Sequence, residues 1–386
     1  MIASPPAQQR LEKATSLVIQ ADACNGVHTL RRSWSWNSMT VRIFAEWESV
    51  RKNQAVPMLW NDGLTPLIQQ RHAYPVETPA ATIWAFEDVR IIGPCIPLIF
   101  DGLKPELKNA LFPGYVVQKY EDPVFISQVT STATRSRHID RAWAVWNYNC
   151  IIYGHFLLEA VSRLLLMRSA YRDDPSLSDI PILLPANAPA FAQQWINLLL
   201  PDFRIELKEA DEDLVIGQLM VPNWGRGYIY SDRVQNELNN LAAPYRTEGG
   251  PTRRIFVERR VQSYRVLANA DALRDIATVY GFEAVSPEKL TLQEQIALFA
   301  DARHIVGEFS SALHNALFSP MGCRVMAMNY ITECQSRIGN FRQHSVGYIL
   351  PAEGAISYDP NIPGERHFII DPMLFEKKLK IMLGIA

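Results

Sequence analysis

TLQEQIALFADARHIVGEFSSALHNALF, residues 291–318, sets a helix, a strand and a second helix in one run. Thr291 with Glu294 three residues on is a capping box, so a helix is expected over 292–302. A strand over 304–306 follows, then a loop of small residues, then a second helix over 312–318. A helix feeding a strand that turns into another helix is the unit of a parallel sheet covered on both faces. The loop reads Gly307-Glu308-Phe309-Ser310-Ser311-Ala312-Leu313-His314-Asn315. Ser310 and Ser311 let a ligand approach the backbone, and the free N–H groups of a helix start favour an anion such as phosphate. In a parallel sheet such a loop lies at the carboxyl edge, where ligands bind. Simple capping of the helix by Ser310 or Ser311 is the competing reading.

Working outward, the same alternation continues on both sides. A strand is expected over 254–257, a helix over 266–280, a strand over 282–285 and another over 324–328. This half is α/β and Rossmann-like. Pro and Gly concentrate over 243–252 (Ala-Pro-Tyr-Arg-Thr-Glu-Gly-Gly-Pro-Thr), which marks a boundary. The domains are therefore drawn as 1–245, 246–370 and a closing helix over 371–386 that returns to the N-terminal domain. In the first part, Tyr115–Val117, Val124–Ile126 and the run over 142–146 read as strands. A helix is expected over 154–170, with Leu157, Ala160, Val161, Leu164 and Leu165 on one face. A strand over 180–184, a helix over 188–200, a strand over 214–221 and a helix near 232–241 follow. The first ninety residues, with Trp34, Trp36, Trp47, Trp60 and Trp84, show no sustained period.

Composition narrows the function. The 386 residues are 48% apolar and 20% charged, enough for two cores, and the formal net charge of −2 argues against a nucleic-acid partner. Five scattered cysteines contain no Cys-x-x-Cys pair, so neither a disulfide framework nor a zinc ribbon is indicated. The first residues lack an apolar core of the signal-peptide kind, and no apolar run reaches membrane-spanning length. A cytoplasmic protein, associating with the inner face of the membrane at most peripherally, is expected.

Two further groups carry chemistry. Arg253, Arg254, Arg259, Arg260 and Arg265 gather around the first strand of the C-terminal half. Arg259 and Arg265 fall after that strand, where forked guanidinium donors suit phosphate oxygens; Arg253 and Arg254 read as a solvated face. Within Gly154-His155-Phe156-Leu157-Leu158-Glu159, His155 and Glu159 are four residues apart on one helix face, with Arg163 a turn further. A carboxylate orienting an imidazole is what a general base needs, although such a pair also serves structure alone. Asp211-Glu212-Asp213 formally resembles a metal motif but reads as a charged loop, and the histidines show no metal-ligand spacing.

In chain order these stretches resemble glycosyltransferase family 61. Its His-Trp-Leu-x-Glu-like motif is matched by Gly154 to Glu159, with Phe156 in place of Trp. Its strand and basic loop are matched by Arg254 to Arg259 with Arg265 and Asn269, and its Gly-x-His-Gly-Ala-x-Leu-x-Asn loop by Gly307, Leu313 and Asn315. Phe309, Ser310 and Ser311 replace the His, Gly and Ala of that loop. The resemblance implies a GT-B fold, two Rossmann-like domains facing a cleft, and an inverting glycosyltransferase that needs neither a metal nor a cofactor. It implies a nucleotide-sugar donor, a UDP-sugar, and a glycan or lipid-linked glycan acceptor in capsular or exopolysaccharide synthesis. His155 would be the base and Glu159 its orienting partner. Arg259, Arg265, Glu288, Glu308, Ser310, Ser311, Ala312 and Asn315 would bind the donor. A nucleotide-sugar epimerase and a non-catalytic carbohydrate- or nucleotide-binding protein are the rival readings.

Overall fold

The computed structural model describes residues 33–36, 39–47, 51–52, 76–77, 79–99, 103–130, 133–225, 227–259, 265–329, 332–351, 356–358 and 366–385. Trp60 and Arg260 lie outside them. Two main sheets organise the chain. The second carries the stretch over 291–318, and its order is Glu283–Val285, Arg253–Val257, Ala302–Glu308, Arg324–Met328, Ser345–Ile349, all parallel. In chain order that is 2-1-3-4-5, a doubly wound arrangement. It reverses direction between Arg253–Val257 and Ala302–Glu308, so the loops after these two strands open into one crevice. The capping box is present: Thr291 accepts from the Glu294 N–H and Glu294 reaches back to the Thr291 N–H, starting helix Leu292–Ala300.

The first sheet is mixed. Its order is Ser33–Trp36, Met39–Trp47, Ala81–Ile92, Glu212–Pro222, Arg135–Ala144, Ile182–Pro185, Ile205–Lys208. The first four neighbours run antiparallel and the rest parallel. Two residues separate Trp36 from Met39, a connection that permits only an antiparallel hairpin. Only the far half therefore has the Rossmann-like character expected of the whole. Trp143, Trp146 and Trp195 are buried in its core.

Several expectations need correction. Tyr115–Val117 and Val124–Ile126 are not strands but lie in helices Gly114–Tyr120 and Pro123–Thr130. Pro113 and Pro123 each start a helix, and a three-residue apolar run fits either period. Val266–Leu267 is a short strand pairing with Arg366–Phe368, so the expected helix begins only at Ala270. Leu313–Phe318 is a 3₁₀ helix rather than an α-helix. Among the described residues, the closing helix, Pro372–Leu383, packs within the C-terminal half rather than on the N-terminal one: Phe375, Leu379 and Met382 pack with Leu273, Ala277 and Phe282. Their i, i+4, i+7 spacing covers the outer face of helix Ala270–Val279.

The halves are joined by packing as well as by the chain. Trp195 stacks on Phe318 at 5.8 Å, and Tyr230 meets Phe341 edge-on at 5.0 Å. Arg342 Nη2 donates to Asn239 Oδ1 at 3.0 Å. One hydrophobic cluster runs through both sheets.

Candidate active site

The histidine motif begins where Asn147 caps a 3₁₀ turn, its side chain accepting from the Asn149 N–H at 2.9 Å. The chain then enters helix at Tyr153, makes a π-helical turn over Phe156–Ala160, and continues as α-helix Val161–Asp173. Such π turns recur at functional positions because they re-aim side chains locally. Here the turn carries Glu159 fully into the core. A buried carboxylate needs donors, and it has them. Asn147 Nδ2 donates to Oε2 at 2.7 Å, while His155 Nδ1 lies 2.7 Å from Oε1. The Tyr115 hydroxyl also donates to Oε1 and stands 2.9 Å from His155 Nδ1. The His155 side chain keeps 32% of its surface exposed, so the imidazole is fixed on one side and open on the other. With Nδ1–H on the carboxylate, Nε2 is the nitrogen left to take a proton.

Arg163, expected on the same face, is fully buried behind this group. It donates to the carbonyls of Ala144 and Leu111 and lies 4.6 Å from the Phe112 ring centroid. Burial lowers its pKa to about 10, with Cys150 and Glu159 opposing. Its role is packing and charge balance.

The histidine motif meets the Ser310–Ser311 loop at Gly154. A Cβ there would stand 2.6 Å from Ser311 Oγ and 2.9 Å from His314 Nδ1, so only glycine admits this approach. His314 is buried, its Nε2 3.6 Å from Cys334 Sγ and its ring 5.5 Å from that of Phe309. Burial, then the neighbouring His155, lowers its pKa to about 3, so it is neutral at physiological pH. Tyr153, one residue earlier, lies 3.1 Å from the side-chain oxygens of both Gln295 and Asn315. Asn315 donates in turn to Gln295 at 3.0 Å.

Beside this junction opens a cleft of about 370 Å³ at the sheet's reversal point. Arg259, Glu288, Ser310, Ser311, Ala312 and Asn315 line it from the C-terminal half, with Tyr153, Phe191 and Gln194 from the N-terminal half. Apolar walls with a few convergent polar groups are the usual make-up of a small-molecule site. Ser310 Oγ is buried with no hydrogen-bond partner. Arg259 Nη1 donates to the Arg265 carbonyl at 3.0 Å, and the Arg265 guanidinium sits 6.0 Å from the Phe309 ring centroid. Glu308 lies off this cleft in a second cavity of about 280 Å³ that shares Glu258 and Arg259 with it. Burial raises the Glu308 pKa, while Arg259, Asn329 and Arg265 oppose. Its Oε2 accepts from Asn329 Nδ2 at 3.2 Å.

Six of the eight expected donor-binding residues thus share one cleft, and the segment that carries His155 and Glu159 reaches it at Tyr153, next to the Gly154 contact with Ser311. Two expectations change meaning. The six-residue 3₁₀ helix offers a weaker dipole than an α-helix, so an anion would depend on Arg259 and the serines. Asn315, fully buried, chiefly ties Tyr153 to Gln295. Arg253 pairs with Glu283 and Arg254 donates to the Tyr280 carbonyl, away from the cleft. Sequence reasoning missed Tyr115, Asn147 and His314 as neighbours of the pair. The acidic triplet is engaged by Arg135, Arg137 and Arg90. Among the described residues no three His, Cys, Asp or Glu side chains gather as a metal-ligand set, and no helix is long and apolar enough to cross a membrane.

Residues 153–326 match the family model Glycosyltransferase 61. The match begins at the tyrosine that lines the cleft and takes in His155, Glu159, Arg259 and the serine loop. Tyr115 and Asn147 precede it. No curated protein matches the chain.

Proposed function

We propose that this glycosyltransferase moves a sugar from a UDP-sugar to a hydroxyl of a glycan or lipid-linked glycan, in capsular or exopolysaccharide synthesis. It does so with inversion at the anomeric carbon and without a metal ion. The reading is carried by the junction at Gly154, whose close approach to Ser311 sets the segment bearing the carboxylate-held His155 against the loop that lines the cleft. In this reading residues 1–245 and 246–370 form the two facing units of a GT-B enzyme, working at the cytoplasmic side of a membrane.

The donor lies in the cleft with its nucleoside toward Glu288 and Phe191 and its diphosphate toward Arg259, Ser310, Ser311 and Ala312. Nδ1 of His155 donates to Glu159, so Nε2 accepts the acceptor's hydroxyl proton as that oxygen attacks the anomeric carbon. The bond from that carbon to the diphosphate oxygen breaks, and its electron pair leaves with UDP. One displacement from the opposite face inverts the centre. Arg259 and Arg265 meet the growing charge on the diphosphate, and Glu159 stabilises the imidazolium.

The test is His155→Ala, assayed for UDP binding, melting temperature and sugar transfer on one preparation. UDP affinity should stay within about two-fold while transfer falls about 10²–10⁴-fold. A folded, UDP-competent variant with near-normal transfer would remove His155 as the base.

A further inference from the structure

We infer that Tyr115 is a positioning residue for the His155–Glu159 pair, and that its hydrogen bond to Glu159 sets how much of the carboxylate's charge reaches the imidazole. The inference rests on the reading of His155 as the base. Tyr115 comes from helix Gly114–Tyr120, outside the family-matched region, and its place is fixed from several sides. Val116, Val117 and Tyr120 of that helix are buried, and the Tyr120 hydroxyl accepts from the Tyr148 N–H at 3.0 Å. The preceding Phe112 is clamped by Arg163. The Tyr115 ring packs edge-on to the imidazole, centroids 5.7 Å apart. Its hydroxyl then bridges the pair, donating to Glu159 Oε1 and standing 2.9 Å from His155 Nδ1.

Both Tyr115 and His155 thus engage one carboxylate oxygen, while Asn147 takes the other. A carboxylate that accepts a strong hydrogen bond has less charge to offer a second donor. Burial, then Glu159 itself, pushes ionisation of Tyr115 far above the ordinary phenol range, so it acts only as a neutral donor. The other groups facing the pair hold a constant charge in the working range. His314 is neutral, Arg163 is cationic, and burial keeps Tyr148, Tyr228, Tyr230, Cys150 and Cys334 protonated. The variable left is the sharing of Glu159 between Tyr115 and His155.

The sign follows. Without the Tyr115 hydroxyl, Nδ1–H loses the neutral oxygen 2.9 Å away but gains a larger share of the Glu159 charge; a charged acceptor outweighs a neutral one, so the imidazolium is favoured and the free base emerges only at higher pH. Tyr115→Phe keeps the ring and its packing, so the acid limb of the pH–rate profile should move up by about half to one pH unit. 3-Fluorotyrosine at position 115, a stronger donor with nearly the same shape, should move the limb down. The rate followed is UDP release from UDP-N-acetylglucosamine or UDP-xylose, whichever the wild type turns over faster. An acid limb unmoved in both variants, with His155→Ala still inactive, overturns the inference and leaves the base assignment standing. Near-normal turnover by folded His155→Ala removes the base assignment and the inference together.

Discussion

Gly154 and Ser311, one from each half of the chain, are packed so closely that a Cβ on Gly154 would lie 2.6 Å from Ser311 Oγ. Real Cβ atoms do not sit that near an oxygen, so one of the two segments must move if the glycine is replaced. Gly154→Ala should lower stability by about 1–3 kcal/mol, the range for overpacking a tight core. Ser311→Gly removes the hydroxyl and a Cβ carbon 3.0 Å away, leaving His314 Nδ1 at 2.9 Å, so it should recover part of that loss. Urea unfolding of both singles and the double variant gives the coupling, expected at about 0.5–3 kcal/mol. Strict additivity would mean that the two segments do not touch.

The arginine pair gives a second expectation. Arg259 lines the cleft and donates to the Arg265 carbonyl at 3.0 Å, so one residue shapes the backbone of the other. Arg259→Ala should weaken UDP binding by about 1.5–3 kcal/mol, the worth of a hydrogen bond to a charged group. Arg265 has a φ of +57°, a conformation that glycine adopts without strain, so Arg265→Gly deletes the guanidinium and keeps the turn. Calorimetric titration with UDP checks both variants. Unchanged affinity in each, with an intact fold, would take the arginines out of the site.

How far the sequence was legible depends on the range of the interactions. In the C-terminal half, helix Leu292–Ala300 starts at its own capping box and strand Arg324–Met328 falls on the expected residues, because both signals are local. His155 and Glu159 were legible for the same reason, four residues apart on one helical turn. Tyr115 was not: it stands forty positions from His155, and its own run was read with the wrong period. His314 was passed over because a lone histidine has no spacing to interpret. Its importance comes from a tertiary approach to Gly154 that no local pattern encodes.

Metal dependence can be settled directly. Asp211 is held by Arg135 at 2.6 Å and Asp213 by Arg90, so the acidic triplet already neutralises its own cations. Ions drawn to these carboxylates would have to displace the arginines. Release of UDP from the donor should therefore persist in EDTA at the wild-type rate. Loss of activity in EDTA, restored by manganese or magnesium, would refute this and return attention to the triplet.

The last expectation concerns stability against pH. Three buried histidines resist protonation: His314 and His344 are lowered to about 3 and His304 to about 4, from an ordinary 6.5. Burial is the main cause for each; His155 adds repulsion at His314, Arg342 at His344, and Arg254 at His304. A depressed folded pKa means that the unfolded chain binds the proton first as pH falls. Each histidine's contribution is therefore fully present above about 6.5 and is lost on the way down toward 3 or 4. In that window each removes about 1.4 kcal/mol of stability per pH unit. Glu308, raised by burial, acts with the opposite sign, its contribution fading as pH rises. It is common to wild type and variant, so it cancels in their comparison. His344 Nε2 sits 3.3 Å from the Ser319 carbonyl, a contact that glutamine can keep without titrating. Unfolding free energies measured from pH 6.5 to 5 should therefore fall less steeply in His344→Gln, by about 1.1 kcal/mol per pH unit on average, because the unfolded histidine is only half protonated at 6.5. Equal slopes in the two proteins would mean that His344 is already protonated in the fold, or reaches water there.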